Sequence, residues 1–502
     1  MRKVALTVLL AGVVAAGVRW GTFVAGGSDS FCYAHQAERW ASGRLQVVEP
    51  LALEAPWPEA PLSFAPAGHV PSPTQLGALA PICPAGLSLA MAPFRWLGGR
   101  DAIFLVVPLF GALLVGATFI AGARFGARVG LAAAAIVACS PVFLYQLMQP
   151  MSDVPAAALW VLAVASATGT ATRGPLVAGV AAGAAILTRP NLLPLGVPIA
   201  LFLLFRPERA WRDRLSAALA CTGGASVGCV AVALIQNAFY GSPFSSGYGS
   251  LEVLFRAEHV GPNASHYLSW MSEAHTPVWL VALAAPLVLP GALSALYAAM
   301  FVVNLACYLP YVTFAEWAYV RFLLPTIPLV LVLMVATIDA ACRRLLPRAA
   351  APVLAVVTLV LAVVFLRAAS EHRAFRLHVL EARYARAGAF VGERLPANAL
   401  VITRWQSGSV RYYSGRRTLV WDGLDPAWLD RAIVFARERG LVPFLLFERW
   451  EEPLFRQRFA GSPLAALDWP PAVEIAGQVR IYRPEDRDRY ARGLPVTTEY
   501  AR

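Results

Sequence analysis

Residues 102–121 read AIFLVVPLFGALLVGATFIA, twenty consecutive residues without a charged side chain. An α-helix of about 20 apolar residues crosses the roughly 30 Å hydrocarbon layer of a membrane. Outward from this stretch, similar apolar runs recur on both sides. They predict spans at Val4–Val24, Ala102–Ala121, Val129–Leu147, Val154–Ala167, Leu176–Leu187, Leu192–Phe205, Leu215–Leu234, Val278–Leu289, Ala292–Leu309, Phe322–Ile338 and Ala351–Leu366. The sequence therefore predicts a polytopic α-helical membrane protein with about eleven transmembrane helices.

The composition agrees with a membrane protein and excludes an ordinary soluble enzyme. Hydrophobic residues make up 58% of the chain and charged residues only 14%, whereas about a quarter of the residues in soluble proteins are charged. The net charge is +12, and the basic residues lie beside apolar stretches. This is the pattern of membrane orientation rather than of nucleic-acid binding. We therefore expect a membrane and no nucleic acid among the partners.

The basic residues also predict the orientation. One set of connections between spans carries Arg2, Lys3, Arg124, Arg128, Arg173, Arg206, Arg209, Arg212, Arg214, Arg343, Arg344 and Arg348. Short basic connections face the cytoplasm. The N-terminus is then cytoplasmic, and an odd number of spans places the C-terminus outside. We expect a multi-pass protein of the inner or plasma membrane.

The sequence suggests two consecutive domains. Residues 1–368 form the transmembrane domain, in which residues 26–100 are a first extracytoplasmic loop with interfacial helices. Residues 369–502 form an extracytoplasmic domain that opens with an amphipathic helix at Ser370–Leu395. Strands at Ala399–Thr403, Thr418–Trp421, Pro443–Glu448, Ala472–Ala476 and Val479–Tyr482 then alternate with helices at Gly408–Tyr413, Pro426–Arg439 and Trp450–Phe459. That alternation is typical of a small α/β domain.

The first candidate site residue is Asp29, directly after the first span. It opens the segment Asp29-Ser-Phe-Cys-Tyr33, for which we predict a short helix that Gly43 ends. Ser28 or Asp29 could simply cap this helix, since either side chain can accept from free N–H groups. Tyr33 lies one turn further along. The pattern alone leaves a helix cap and an active-site acid open for Asp29.

Three more charged residues fall at predicted outer ends of spans. Asp153 lies in Met151-Ser-Asp-Val-Pro155, where it could cap a helix or take part in a site. Arg189 lies in Thr188-Arg-Pro-Asn191 and Arg321 in Tyr319-Val-Arg-Phe-Leu-Leu-Pro325. An arginine here can anchor the chain at the interface by snorkelling to water. Outer arginines oppose the cytoplasmic bias, however, and phosphate is a fitting partner for a guanidinium.

The seven cysteines show no metal-finger or redox spacing, and the sequence leaves most of them as small buried hydrophobes. A disulfide between Cys32 and Cys83, both outside the membrane in this topology, is one of the options. Asn263-Ala-Ser265 fits a glycosylation sequon, a pattern that also arises by chance.

Together these motifs resemble the GT-C glycosyltransferases, most closely the protein O-mannosyltransferase and lipid A aminoarabinose transferase group. The likeness rests on an acid after the first span, on Ala80-Pro-Ile-Cys-Pro-Ala-Gly-Leu87 before an apolar helix, and on Arg321-Phe-Leu-Leu-Pro325. It spans roughly the first 370 residues. Ser30 stands where these families usually have a second acid, which argues against a metal-binding version, and Cys83 and Ala85 are further departures.

The resemblance implies transfer of a sugar from a polyprenyl-phosphate donor to an acceptor hydroxyl, with inversion at the anomeric carbon. Asp29 would act as general base, Asp153 would take part in catalysis, and Arg189 and Arg321 would bind the lipid phosphate. Tyr33 and Tyr248 would contact the sugar. The acceptor could be a glycan, a lipid or a protein, and neither a cofactor nor a divalent metal is required.

The main alternative is a transporter or flippase for a lipid-linked or amphipathic substrate. Transporters place their polar residues near the middle of the membrane. Here the candidate acids and arginines fall at the ends of spans, which favours the transferase.

Overall fold

A computed structural model describes residues 2–206, 208 and 210–501, so Arg209 of the basic set lies outside the described residues. The chain divides into two compact units that interleave along the sequence. The first unit contains residues 1–21, 84–235 and 249–377, and the second contains residues 22–83, 236–248 and 378–502. The sequence instead suggested two consecutive domains with a boundary near residue 368. Most of the first loop thus groups with the C-terminal residues, because loop segments contact partners far away in sequence.

The first unit is helical. Its α-helices are Arg2–Trp20, Ala85–Ala102, Val106–Gly122, Ala127–Cys139, Pro141–Leu147, Asp153–Ala167, Gly174–Thr188, Gly196–Leu204, Trp211–Tyr240 (which runs on into the second unit), Leu251–Leu254, Val260–His275, Ala285–Val288, Ala292–Tyr308, Ile327–Leu345 and Ala350–Glu371. Short 3-10 helices lie at Ile103–Leu105, Pro190–Leu195, Ala257–His259, Pro277–Ala284, Trp317–Leu323 and Ala374–Arg376. Each predicted span coincides with one of these helices or with an adjoining pair.

Four helical segments are long and apolar enough to cross a membrane: Arg2–Trp20, Ala85–Gly122, Trp211–Tyr240 and Ala350–Glu371. The second of these joins the consecutive helices Ala85–Ala102, Ile103–Leu105 and Val106–Gly122. Two bent pairs raise that number to six. Ala127–Cys139 and Pro141–Leu147 meet at 59°, and Trp317–Leu323 and Ile327–Leu345 meet at 81°. Proline explains the bends, because Pro141 and Pro325 lack the N–H that would continue the helix. The remaining predicted spans coincide with apolar helices of 10–17 residues.

Two helices of the first unit pack through glycine. A Cβ atom at Gly228 would overlap the carbonyl oxygen of Gly183, and one at Gly179 would overlap that of Cys221. The helices Gly174–Thr188 and Trp211–Tyr240 therefore approach closely enough that only hydrogen fits between them. The Gly-x-x-x-Gly spacings at 179–183 and 224–228 produce this contact, as expected of small-residue interfaces in membranes.

The basic residues and the candidate arginines lie at opposite ends of the helices. Arg173 precedes helix Gly174–Thr188 and Arg189 follows it. Arg321 precedes helix Ile327–Leu345, whose last turn carries Arg343. Asp339, buried in that helix, lies 2.7 Å from the Nε of Arg128 and 2.8 Å from a terminal nitrogen of Arg343. In these two helices, the predicted cytoplasmic arginines and the candidate arginines thus lie at opposite ends.

The second unit contains two sheets. Strands β1 (Val47–Val48), β2 (His69–Pro71) and β3 (Ala78–Pro81) form an antiparallel sheet in the order β1-β3-β2. Strands β4 (Ala399–Thr403), β5 (Arg417–Val420), β6 (Val442–Glu448), β7 (Val473–Ile475), β8 (Val479–Tyr482) and β9 (Glu499–Ala501) form a mixed sheet in the order β5-β4-β6-β8-β7-β9. Its α-helices are Asp29–Ser42, Leu51–Glu54, Ala60–Phe64, Leu377–Arg394, Ser407–Ser414, Leu429–Glu438, Glu452–Arg458 and Pro484–Ala491. Short 3-10 helices lie at Trp421–Gly423, Pro426–Trp428 and Pro463–Ala466.

Buried apolar residues cover both faces of the larger sheet. Ile402, Leu419 and Phe447 belong to the core on one face, and Val401, Phe444 and Ile481 to the core on the other. Each predicted strand lies within one residue of an observed one at both ends, because a short apolar run that is buried on both faces leaves a local signal. β9 has no such signal, and its residues were not predicted to form a strand.

In the second unit, one predicted helix begins later than expected and an optional disulfide is present. The amphipathic helix expected from Ser370 begins only at Leu377, because the preceding helix runs on to Glu371 and the left-handed Arg373 (φ 61°) separates the two. The optional disulfide between Cys32 and Cys83 is formed. It closes a segment of 51 residues and ties helix Asp29–Ser42 to the end of the first loop.

Candidate active site

Two helix ends of the first unit meet at the buried carboxylate of Asp153. Asp153 opens helix Asp153–Ala167, and Arg189 ends its neighbour Gly174–Thr188. These helices form an antiparallel hairpin, so the start of one lies beside the end of the other. Local chemistry places each residue: Pro155 is tolerated in a first helical turn, and Pro190 disfavours the helical conformation for Arg189. Arg189 accordingly takes extended angles (φ −145°, ψ 88°).

Arg189 directs its guanidinium toward three different residues. Its Nε donates to the Ser152 hydroxyl at 3.2 Å, and one terminal nitrogen donates to the Tyr308 hydroxyl at 3.2 Å. The other terminal nitrogen donates to the Asp153 carboxylate at 2.6 Å. Ser152 stands at the N-cap of helix Asp153–Ala167, and its side chain makes no cap hydrogen bond within the described residues. The Asp153 carboxylate, fully buried, instead forms an ion pair with Arg189.

Arg321 approaches the other oxygen of the same carboxylate. One of its terminal nitrogens lies 4.0 Å from the second Asp153 oxygen, and 16% of its side chain is exposed. The 81° bend at Leu324–Thr326 turns this segment toward the site. Asn304, which is buried, supports the bend by donating to the Thr326 hydroxyl at 2.9 Å. Arg321 is therefore held at a helix break, with a small accessible surface.

Aromatic rings surround the two arginines. The guanidinium of Arg321 lies 5.1 Å from the Tyr319 ring and 5.5 Å from the Phe322 ring. Arg189 lies 5.6 Å from the Phe322 ring, which stacks on Tyr308 at 4.7 Å. Such contacts favour a cation at the ring face. They hold the guanidinium groups in a weakly hydrated setting, where charges interact strongly.

Two guanidinium groups, those of Arg189 and Arg321, face the carboxylate of Asp153. Two arginines side by side can also bind an anion with several oxygens. Phosphate fits, because guanidinium groups bind it through paired hydrogen bonds. The site can therefore hold a phosphate, and it can stabilise negative charge that develops on one.

The structure brings together three of the predicted site residues, Asp153, Arg189 and Arg321, and adds Ser152 and Tyr308. Sequence reasoning missed Tyr308, although the density of aromatic residues between it and Phe322 is a usable signal. It also treated Asn263 as a sequon. Asn263 is buried and donates to the carbonyl oxygens of Tyr308, Leu309 and Tyr311 at 3.3, 3.0 and 2.6 Å, which holds this segment in place.

The other predicted site residues belong to the second unit. Asp29 lies in the first turn of helix Asp29–Ser42, which ends at the left-handed Gly43 as predicted. The side chain of Ser28 makes no cap hydrogen bond. Asp29 is half-buried, Tyr33 is buried, and Tyr248 is 42% exposed. The roles predicted for Asp29, Tyr33 and Tyr248 stay predictions.

Comparison with known proteins finds one matching family model and several structures with a similar fold. A family model described as dolichyl-phosphate-mannose-protein mannosyltransferase matches residues 87–235. No curated protein sequence matches the chain. Two crystal structures of ArnT from Cupriavidus metallidurans superpose with TM-scores of 0.55: one bound to undecaprenyl phosphate, 12% identical, and one in the apo state, 13% identical. Each covers 90% of this chain and 94% of that chain.

A third similar structure is a cryo-EM structure of the arabinofuranosyltransferase AftD from Mycobacteria. It is 16% identical with a TM-score of 0.55, and it covers 95% of this chain but 41% of that chain. At these identities the likeness establishes the fold. It extends over both compact units, whereas the family model covers only part of the first.

Proposed function

Because this chain has the fold of the GT-C superfamily, we propose that it is a membrane glycosyltransferase with a polyprenyl-phosphate-linked sugar as donor. One observation carries the proposal: Arg189 and Arg321 flank the buried Asp153 at the ends of apolar helices. A lipid phosphate would lie at such helix ends while its isoprenoid chain stays in the hydrocarbon layer. The undecaprenyl phosphate bound by the similar ArnT structure supports this choice of ligand.

The proposed reaction is attack of an acceptor hydroxyl on the anomeric carbon of the donor sugar. The bond from that carbon to the phosphate oxygen breaks, and the phosphate leaves with the bonding electrons. Arg321 and Arg189 stabilise the negative charge that gathers on it. Asp29 accepts the proton of the hydroxyl, a general-base contribution of about 10²–10⁴-fold. The scheme needs no metal, and inversion follows from a single displacement.

Asp153 has a supporting part in this scheme. Its carboxylate forms an ion pair with Arg189 at 2.6 Å and lies close to Arg321. Each oxygen of this carboxylate thus faces a guanidinium group. We therefore assign Asp153 to the orientation of the two arginines and the general base to Asp29. Tyr33 and Tyr248 remain proposed sugar contacts.

We also propose the full topology of eleven spans, with the N-terminus in the cytoplasm and residues 378–502 outside. Two observations support it. Arg173 and Arg343 lie at the helix ends opposite Arg189 and Arg321. The disulfide of Cys32 and Cys83 suits an oxidising compartment outside the cytoplasm. The donor headgroup and the acceptor would then meet on the extracytoplasmic side.

Transfer of radiolabelled sugar from polyprenyl-phosphate donors, in membranes with matched expression, tests the function. We expect wild type to transfer sugar, Asp29→Asn to lose about 10²–10⁴-fold and Arg321→Gln about 10²–10³-fold. Arg348→Gln removes an exposed arginine from a cytoplasmic connection and should keep its activity.

The possible failures separate the alternatives. If wild type transfers sugar from no donor, the transporter hypothesis moves ahead, and translocation of labelled lipid in proteoliposomes becomes the assay. If Asp29→Asn keeps its rate, Asp29 is not the base and Asp153 is the next candidate. If Arg321→Gln behaves like Arg348→Gln, the phosphate assignment is wrong.

A further inference from the structure

The mixed sheet of the second unit contains a parallel segment whose strand order reverses. β4 pairs in parallel with β5 on one side and with β6 on the other. The chain leaves β4 toward β5, whereas it leaves β6 toward β7, which lies on the opposite side beyond β8. The loops that follow β4 and β6 therefore diverge. In open α/β sheets ligands bind at this point, beyond the carboxyl ends of the strands.

Two indole rings and the polar side chains around them lie at this edge. We call this group the tryptophan edge, and it consists of Arg404, Trp405, Asp422, Glu448, Trp450 and Glu451. Trp405 follows β4 and Trp450 follows β6. Their ring centroids are 5.9 Å apart with an angle of 53° between planes. Trp450 is 50% exposed, although large aromatic residues are mostly buried in folded proteins.

Buried carboxylates hold the two indoles in fixed positions. Glu448 accepts from the Trp450 ring nitrogen at 2.8 Å and from the Gln406 amide at 3.0 Å. Glu451 accepts from the backbone N–H groups of Trp405 and Glu448 at 3.3 and 2.9 Å. Both acids are buried. The exposed face of Trp450 is therefore rigid before any ligand arrives, which reduces the entropy cost of binding.

The partly exposed ionic groups beside the indoles, Arg404 and Asp422, compensate each other, and the buried Glu448 pairs with Arg383 at 3.1 Å. Arg404 pairs with Asp422 at 2.7 Å, and about a third of each side chain is exposed. The guanidinium of Arg404 also lies 5.6 Å from the Trp405 ring. In the part of the chain that the structure describes, the ring nitrogen of Trp405 has no hydrogen-bond partner. Planar donors and acceptors thus lie next to a flat apolar surface.

This combination decides the class of ligand. A phosphate or other anion would meet Asp422, and a cation would meet Arg404, so a charged ligand gains little. A sugar ring has one apolar C–H face for an indole and hydroxyl groups for a guanidinium and a carboxylate. We propose that the tryptophan edge is a saccharide-binding site separate from the phosphate site. Assigning its ligand to the glycan part of the acceptor rests on the proposed transferase function, whereas saccharide binding does not.

Binding to the full-length protein in lipid nanodiscs tests the site. The probe is an array of mannose-, arabinose- and glucose-containing oligosaccharides, followed by calorimetric titration with those that bind. We expect Trp450→Ala to weaken binding at least tenfold and Trp450→Phe to retain most of it, because Phe keeps the flat ring. Trp428→Ala removes another partly exposed indole of the same unit and should bind as wild type does.

Two controls keep the outcomes separate. Unchanged melting temperatures for the variants exclude loss of folding, and Asp29→Asn should bind saccharide normally even if it transfers none. Binding without transfer would overturn the transferase but leave this site intact. The site is overturned if wild type binds no saccharide on the array, or if Trp450→Ala binds as tightly as wild type.

Discussion

At the scale of single residues, Asp153 shows how a neighbour changes the role of an acid. A carboxylate at the start of a helix could be a cap, a base or a structural partner. The ion pair with Arg189 favours the last, since the acid is buried and its charge is compensated. Removing one partner of a buried ion pair leaves the other uncompensated, and that costs stability.

We expect Asp153→Asn to weaken use of the donor rather than to abolish the chemical step. The amide keeps the shape but not the charge, so Arg189 and Arg321 lose their fixed orientation. The KM for the lipid donor should rise about tenfold or more, with a smaller fall in kcat. Asp213→Asn, at an exposed acid, is the control. An unchanged donor KM with kcat abolished would instead identify Asp153 as the base.

A second prediction at this scale concerns the buried carboxyl group of Glu451 and the pH dependence of stability. Burial raises the pKa of its carboxyl from 4.5 to about 7, although two backbone N–H groups partly oppose the shift. Between pH 4.5 and 7 the folded protein therefore binds more protons than the unfolded chain. The free energy of unfolding falls as the pH rises through this range, by up to about 3 kcal/mol from this one group.

Glu451→Gln should remove that part of the pH dependence, because the amide does not ionise. We expect the melting temperature of wild type to fall from pH 5 to pH 8 by more than that of the variant. Glu438→Gln, at an exposed acid, should follow wild type. Thermal unfolding of the detergent-solubilised protein measures this. Parallel curves for wild type and Glu451→Gln would contradict the raised pKa.

At the scale of elements, the packing of two apolar helices depends on glycine. Gly183 and Gly228 allow the helices Gly174–Thr188 and Trp211–Tyr240 to touch through their backbones. Helix contact in lipid lacks the hydrophobic driving force of water and depends on such close approach. Arg189 ends the first of these helices, so a shift of the helix would also move a site residue.

Gly228→Val should therefore lower both stability and transfer, because its side chain would overlap the Gly183 backbone. We expect a melting temperature several degrees lower. Gly223→Val is a matched control on the same helix, since no atom lies within 4 Å of a Cβ at Gly223. The experiment compares the melting temperature and the rate of sugar transfer of the two variants. Equal losses in both would show that valine itself, not the contact, disturbs the helix.

At the scale of the whole molecule, the topology depends on which helices cross the membrane. Four helices are long and apolar enough alone, and two bent pairs add to them. The remaining five apolar helices are shorter than about 20 residues, the length needed for an upright span. They would cross by continuing into adjoining 3-10 or extended residues, which is tolerated where neighbouring helices bury the backbone.

Reporter fusions test the resulting topology. We expect a periplasmic-active phosphatase fused after residue 501 to be active and a cytoplasm-active fluorescent protein there to be dark. Fusions placed after residue 206 should show the opposite behaviour, because that connection is basic. A fluorescent C-terminal fusion would mean an even number of spans and would place the mixed sheet in the cytoplasm.

The sequence by itself determined the elements whose signal is local. Each predicted apolar run lies in a helix or helix pair of the first unit, and short apolar runs predicted five of the six strands in the larger sheet, whereas helix Val260–His275 was not predicted. The sequence also predicted that Gly43 ends the helix that begins at Asp29. Each of these depends on residues near one another in the chain, so periodicity and composition are enough to detect it.

Only the tertiary structure decided which side chains meet. Arg189 contacts Asp153 and Tyr308, which are 36 and 119 residues away, and no local pattern encodes such pairs. The same holds for the Trp405–Trp450 platform and for the grouping of the first loop with the C-terminal residues. The physical reason is that a side chain's role depends on the charge and burial around it, and those are set by elements brought together from distant parts of the chain.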